Sequence, residues 1–239
     1  MLELRNISYK YGHRQILEDV SFCIERGEFC VLLGANGAGK STLFRLIARL
    51  LPLQKGEVLI GGHRLENYQK ALQNIGIVFQ EPTLDLDLTV RQNLHYYGAL
   101  KGLSFAKSIH CVRTDLQRLE LTTKLDTKVR ELNGGHKRRV EIARAMIAKP
   151  TLLLLDEPSV GLDSQTRQSL LGYIKEKVRE NNLSVLWITH LFDEINGGDN
   201  VVLLDEARLI ENGKAHELLA KHNQPTITDL FWHLTKKQL

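Results

Sequence analysis

The stretch FCVLLGANGAGKST, Phe29 to Thr42, constrains this chain more than any other part of it. Five apolar residues run into a glycine-rich turn. Beyond Lys40 the segment KSTLFRLIARLL carries apolar side chains at Leu43, Leu46, Ile47 and Leu50, the spacing of one helix face. A strand, a glycine loop and a helix in that order point successive backbone N–H groups at one place, with the positive end of the helix dipole behind them. The loop fits the pattern G-x-x-x-x-G-K-[ST] from Gly34 to Ser41. Its glycines let the N–H groups of Asn36, Gly37, Ala38, Gly39, Lys40 and Ser41 curl around phosphate oxygens. Lys40 supplies a point charge and Ser41 a hydroxyl for Mg²⁺, and Thr42 completes the motif.

An α/β architecture follows from that beginning. TLLLLD (Thr151 to Asp156) is apolar almost throughout, as a strand covered on both faces is. It delivers Asp156 and Glu157 at its C-terminal end, where ligands gather in open α/β sheets. IGIVFQEP and SVLWITH read as further strands, GEVLIGGHRL as a strand with a Gly-Gly turn, and VVLLD with RLIENG as a closing hairpin. Between Thr83 and Lys149 the β-branched clusters thin out. LTVRQNLHYYGALKGL, the stretch around Thr114 to Leu121 and the run Val140 to Ile147 have helical periodicity, so a helical subdomain is inserted into the core. QTRQSLLGYIKEKVRE predicts a solvated amphipathic helix, and two short helices end the chain.

Composition narrows the function classes. Lys plus Arg (32) exceed Asp plus Glu (28) by only four, too small an excess for a nucleic-acid footprint. Cys23, Cys30 and Cys111 show neither a disulfide framework nor zinc-ligand spacing. No run of about eighteen apolar residues and no signal-peptide pattern is present, so the expected location is cytosolic, with any membrane role exercised through a partner.

One stretch is left over. LNGGHKRRVEIARA (Leu132 to Ala145) reads as a second helix start built to face an anion: Asn133 can cap it, and Gly134 and Gly135 permit close backbone approach.

In order and spacing, these motifs resemble the nucleotide-binding subunit of ABC transporters, over Met1 to about Leu219. GANGAGKS resembles that family's Walker A, Gln80 in VFQEP its Q-loop glutamine, LNGGH its LSGGQ signature, LLLLDEP its Walker B, SVGLD its D-loop and ITH its switch histidine. The resemblance implies the ABC-cassette fold of phosphate-loop NTPases: a RecA-like core sheet, an N-terminal antiparallel β-subdomain and the inserted helical subdomain. A single ATPase domain is expected over 1–239, with 1–82 and 150–220 as the ATP-binding core, 83–149 as the helical subdomain and 221–239 as a tail.

It also implies roles. ATP would lie on Gly34 and Asn36 to Thr42, with Tyr11 stacked on the base. Mg²⁺ would be held by Ser41, Gln80 and Asp156, Glu157 would act as general base on the attacking water, and His190 would bond the γ-phosphate. Asn133, Gly134, Gly135 and His136 would close over the ATP of a second cassette, expected to be a copy of this chain, with Asp163 at the subunit boundary or capping its own helix. Asn133 stands where the family has Ser, and His136, where it has Gln, would add a pH-sensitive positive charge. A separate membrane-spanning permease would place the cassette on the inner face of the cell membrane.

The insert looks most like exporter-type cassettes of the drug-resistance and nodulation kind, and resembles cassettes linked with quinone-dependent alcohol dehydrogenase systems. A soluble, non-transport ABC ATPase is the alternative, although the chain carries neither a second cassette nor a coiled-coil insertion. The tail, with Phe231, Trp232, Leu234, Lys236 and Lys237, predicts either an amphipathic helix at a membrane or partner, or a helix packed on the cassette or its dimer mate.

Overall fold

Apolar alternation builds the first sheet. The structure, a computed structural model, describes residues 1–235; Lys236 and Lys237 of the tail lie outside the described residues. In chain order the strands are β1 (Leu2–Tyr11), β2 (Arg14–Ile24), β3 (Phe29–Leu33), β4 (Lys55–Ile60), β5 (His63–Arg64), β6 (Ile75–Val78), β7 (Leu152–Asp156), β8 (Ser184–Thr189), β9 (Asn200–Asp205) and β10 (Arg208–Lys214). The helices are α1 (Lys40–Ile47), α2 (Tyr68–Ala71), α3 (Val90–Leu100), α4 (Phe105–Cys111), α5 (Arg113–Arg118), α6 (Gly134–Met146), α7 (Ser164–Asn181), α8 (Ala215–His222) and α9 (Ile227–Thr235). The chain divides into two compact units, Met1–Gln73 with Ser184 onward, and Asn74–Leu183.

In the first unit, β1 and β2 pair antiparallel with Leu2 opposite Ile24, Leu4 opposite Phe22, Ile7 opposite Val20 and Tyr9 opposite Leu17. All eight of these side chains are buried, so one face of a sheet ordered β2-β1-β4-β5 is core. The register shifts between Leu4 and Ile7, where Asn6 takes a positive φ and its amide donates to Asp19 Oδ1 at 2.7 Å.

The second sheet of this unit has a different sequence logic. Every residue of β3, β8 and β9 is buried; β3 runs parallel to both of the others, and β10 closes the edge antiparallel to β9. Strands covered on both faces are continuously apolar rather than alternating, which is why FCVLL and NVVLL read as runs.

The tail completes this core. Ile227, Leu230 and Phe231 of α9 are buried with Leu33, Val201, Leu203, Ala215 and Leu218, and Phe231 meets Phe192 edge-on at 5.4 Å. Among the described residues, the apolar side of the tail is therefore spent on its own unit, and no helix is long and apolar enough to cross a membrane.

In the second unit, β6 and β7 are parallel, with Ile75 beside Leu152 and Val78 beside Leu155. α3 opens with a capping box: Thr89 Oγ1 accepts from the Gln92 N–H at 3.2 Å while Gln92 Oε1 accepts from the Thr89 N–H at 2.8 Å. α4 has no apolar stripe to announce it, since Phe105 is 69% exposed. It packs on α3 where Gly98 meets Ser108 so closely that a Cβ at 98 would lie 2.1 Å from the Ser108 hydroxyl.

Candidate nucleotide site

The phosphate loop leaves the C-terminal end of β3, and its backbone is one that only glycine satisfies at two points. A Cβ on Gly34 would sit 2.3 Å from the Leu204 carbonyl oxygen of β9. Gly39, at φ +109°, would bring a Cβ within 2.6 Å of the Ile16 carbonyl oxygen of β2. Between them, Asn36 and Gly37 are exposed while Ala38 and Lys40 are buried. The Lys40 ammonium donates to the carbonyls of Gly34 (2.7 Å) and Ala35 (3.1 Å), which keeps it inside the curl of the loop.

α1 starts at Lys40 with no side-chain hydrogen bond capping it and no acidic residue in its first turn, and Ser41 and Thr42 there are half-buried. Orphan N–H groups, a helix dipole and an ammonium at one point suit an anion. Tyr11 ends β1, 44% exposed, with Tyr9 edge-on to it at 5.0 Å. The β1–β2 hairpin that carries it also supplies the Ile16 carbonyl against Gly39, so the hairpin borders the loop. His190 follows β8 and is half-buried. The turn after it is held by Leu191 N–H donating to Thr189 Oγ1 (3.0 Å) and by the buried Trp187 indole donating to Glu194 (2.9 Å).

The remaining predicted groups lie in the second unit. Asp156 is the last residue of β7, Glu157 follows at φ +49°, and both are 6% exposed. Gln80 is exposed, two residues beyond the end of the neighbouring strand β6. Because Val78 is in register with Leu155, Gln80, Asp156 and Glu157 emerge at the same end of the β6–β7 pair.

The signature residues form a separate cavity of about 400 Å³, lined by Asn133, Gly135, His136, Arg139, Asp163 and Thr166 among others. Two capped helix starts meet there. Asn133 caps α6, its Oδ1 accepting from the His136 N–H (2.8 Å) and from His136 Nδ1 (2.8 Å), which places the ring proton on Nδ1. Asp163 caps α7, accepting from the Thr166 N–H (2.9 Å) and hydroxyl (2.7 Å), and these bonds hold its carboxyl below the usual aspartate range.

Burial, then the positive charges of Arg139 and Lys124, push the His136 pKa below the ordinary histidine value, so the fold favours its neutral ring.

Sequence reasoning missed a buried network beside Gln80. Arg138 donates to the carbonyls of Phe79 (2.6 Å) and Gln80 (2.8 Å) and pairs with Glu141 (2.9 Å), while Glu141 accepts from the Thr83 N–H (2.8 Å). The only trace in the sequence is the i, i+3 spacing of Arg138, Glu141 and Arg144 inside what reads as a solvated basic run.

The sequence profile of the ABC transporter family matches residues 17–160, more than half of the chain. The chain belongs to the ABC transporter family. It is 35% identical to the linearmycin resistance ATP-binding protein LnrL of Bacillus subtilis (strain 168), across 96% of this chain and 74% of that one. Identity is 36% with the Nod factor export ATP-binding protein I of Rhizobium johnstonii, across 91% and 70%. Among solved structures, the dimeric post-hydrolysis state of the ATP-binding cassette MJ0796, bound to ADP and Pi, aligns with a TM-score of 0.78 at 28% identity, covering 90% of this chain and 98% of that one. The ABC cassette described above is thus an ATP-binding, ATP-hydrolysing subunit of an ABC transporter, with the α/β phosphate-loop fold of its family.

Proposed function

We propose that this cassette powers export by binding ATP between two copies of itself on the inner face of the cell membrane, where it drives a separate membrane-spanning permease. The observation that carries the two-copy reading is the distribution of helix starts. The chain has one phosphate loop in its first unit and, in its second, a different cavity at the starts of α6 and α7, lined in part by Gly134 and Gly135. A chain with one copy of each half uses both when two copies meet head to tail. The dimeric MJ0796 cassette supports that reading, and the printed names of the Nod factor and linearmycin relatives support export.

In this reading the N–H groups of Asn36 to Ser41 and the Lys40 ammonium hold the phosphates, Thr42 extends the same helix start, and Tyr11 stacks on the base. His190 donates to the γ-phosphate. Glu157 orients the attacking water and takes its proton. Asn133 Nδ2 and the N–H groups of Gly134 and Gly135 cover the partner's γ-phosphate, with His136 holding Asn133 in place and Asp163 at the subunit boundary.

Mg²⁺ fits the donor set. The Ser41 hydroxyl, the Gln80 amide oxygen and the Asp156 carboxylate are the hard oxygen donors this ion prefers, and these residues would hold it. The ion would neutralise charge on the phosphates; the protein's part is to present those oxygens.

The test is Glu157→Gln. With ATP and Mg²⁺ the variant should accumulate as a dimer by light scattering while hydrolysis falls by about 10²- to 10⁴-fold. Near-normal turnover would remove Glu157 from its role, and a monomer at saturating ATP would remove the two-copy site. Direction is read separately, from ATP-driven loading of inside-out vesicles that contain the permease.

A further inference from the structure

Arg138 sits one turn into α6 and is only 8% exposed. Its Nη1 donates to the Phe79 carbonyl and to Glu141 Oε2, and its Nη2 to the Gln80 carbonyl. Glu141, fully buried, accepts from the Thr83 N–H, and Arg144 donates to the Thr83 carbonyl (3.0 Å) and hydroxyl (2.5 Å). Three carbonyls and one N–H of the segment between β6 and α3 are therefore fastened to a single helix, the one that begins at Asn133.

The fastening is expensive. Burial lowers the pKa of Arg138 and raises that of Glu141, each against the pull of its partner's charge. A buried pair of this kind is often no more stabilising than apolar side chains of the same volume, so stability alone does not account for it. What apolar side chains cannot supply is a planar fork. Two N–H groups of one guanidinium on two successive carbonyls fix the peptides on both sides of Gln80, and hence the direction in which its side chain leaves the backbone.

We infer that Arg138 is a positioning residue for ATP hydrolysis, locking Gln80 to the signature helix so that the two move as one body. This rests on the role proposed above for Gln80. Engagement of the α6 start by the partner's nucleotide then sets the place of Gln80 in the same subunit, without any contact between the partner and Gln80 itself.

Arg138→Met combined with Glu141→Met removes the fork together with its carboxylate partner and leaves Arg144 its hydrogen bonds to Thr83, and Arg138→Lys keeps the charge without the fork. For both, kcat should fall at least about tenfold while the KM for ATP stays within about twofold, since the phosphate loop is untouched. Amide exchange across Phe79 to Thr83 should quicken, and the melting temperature of the double variant should stay near wild type. In the Gln80→Ala background, loss of the fork should cost nothing further, because the fork acts through Gln80.

Wild-type kcat in the double variant, or a loss that multiplies with that of Gln80→Ala, overturns the inference. Should the double variant not fold, wild-type kcat in Arg138→Lys overturns it equally. Undiminished hydrolysis by Gln80→Ala alone would instead overturn the role given to Gln80, and the positioning role with it.

Discussion

The two glycine-bearing helix starts of this cassette, those of α1 and α6, are built differently. α1 begins without any side-chain cap; its anion site is backbone and one ammonium, held in a loop where Gly34 and Gly39 leave no room for a Cβ. α6 begins with Asn133, whose Oδ1 is already committed to the His136 N–H and ring. The first is shaped by backbone and glycine, the second by a side-chain cap. Under the proposed two-copy site, the identity of that cap would set how the partner's phosphate is met. Asn133 caps α6 without charge, whereas Asp163 at the neighbouring start of α7 caps with one. A neutral cap leaves the positive end of the dipole available to an anion.

The comparison is sharpest at Lys40. Lys40→Ala should cost about 10²- to 10³-fold in kcat/KM and weaken ATP binding by the isolated cassette, read by calorimetry, because the ammonium held inside the loop is gone. At the other helix start, Gly135→Asp places a carboxylate where the partner's triphosphate would lie. Hydrolysis should fall by about 10²-fold while calorimetric ATP binding to the monomer is unchanged. Should both variants lose binding alike, the two starts serve one site in one subunit and the distinction collapses.

Smaller changes probe the tuning. Asn133→Ala removes the cap and should cost about 1 kcal/mol of unfolding free energy, with a several-fold drop in kcat, whereas Asn133→Ser keeps a cap and should stay within a few tenths of a kcal/mol. Equal melting curves for the two would mean that Asn133 is not holding the helix start.

The smallest effect concerns His136. Its folded pKa lies below its ordinary value, so the neutral ring is the form the fold favours. That contribution is present above about pH 6.5, the unfolded value, and is lost as pH falls through the folded value, when the ring charges beside Arg139 and Lys124. His136→Gln should therefore flatten the acid side of the stability profile below about pH 6.5. Superimposable profiles would show that the ring titrates as though free.

Much of this was legible in the chain. Walker A, strand β7 ending on Asp156, the Asn133 cap and the helical character of α3 and α6 are local: each follows from a repeat of two or 3.6 residues, a glycine that needs its φ, or an oxygen three residues ahead of an N–H. α4 was not legible, since Phe105 and its neighbours carry no apolar stripe and the helix exists because Gly98 lets Ser108 approach α3. The place of α9 was legible only in part: its amphipathic face favours packing on the cassette or its dimer mate over a membrane, and burial of Leu230 and Phe231 with β3 and β9 residues selects the first.

The sequence by itself determined that this protein carries a phosphate loop, because a backbone cradle and its lysine are contiguous in the chain, and the order and spacing of the other short motifs gave the resemblance to the ABC family. Only the tertiary structure decided what the long-range partners do. It buried Arg138 against carbonyls 59 and 58 residues away, and it set His136 where partial burial, then Arg139 and Lys124, lower its pKa. Hydrogen bonds and charge fields depend on distance in space, and spacing along a chain does not report that distance beyond a helical turn.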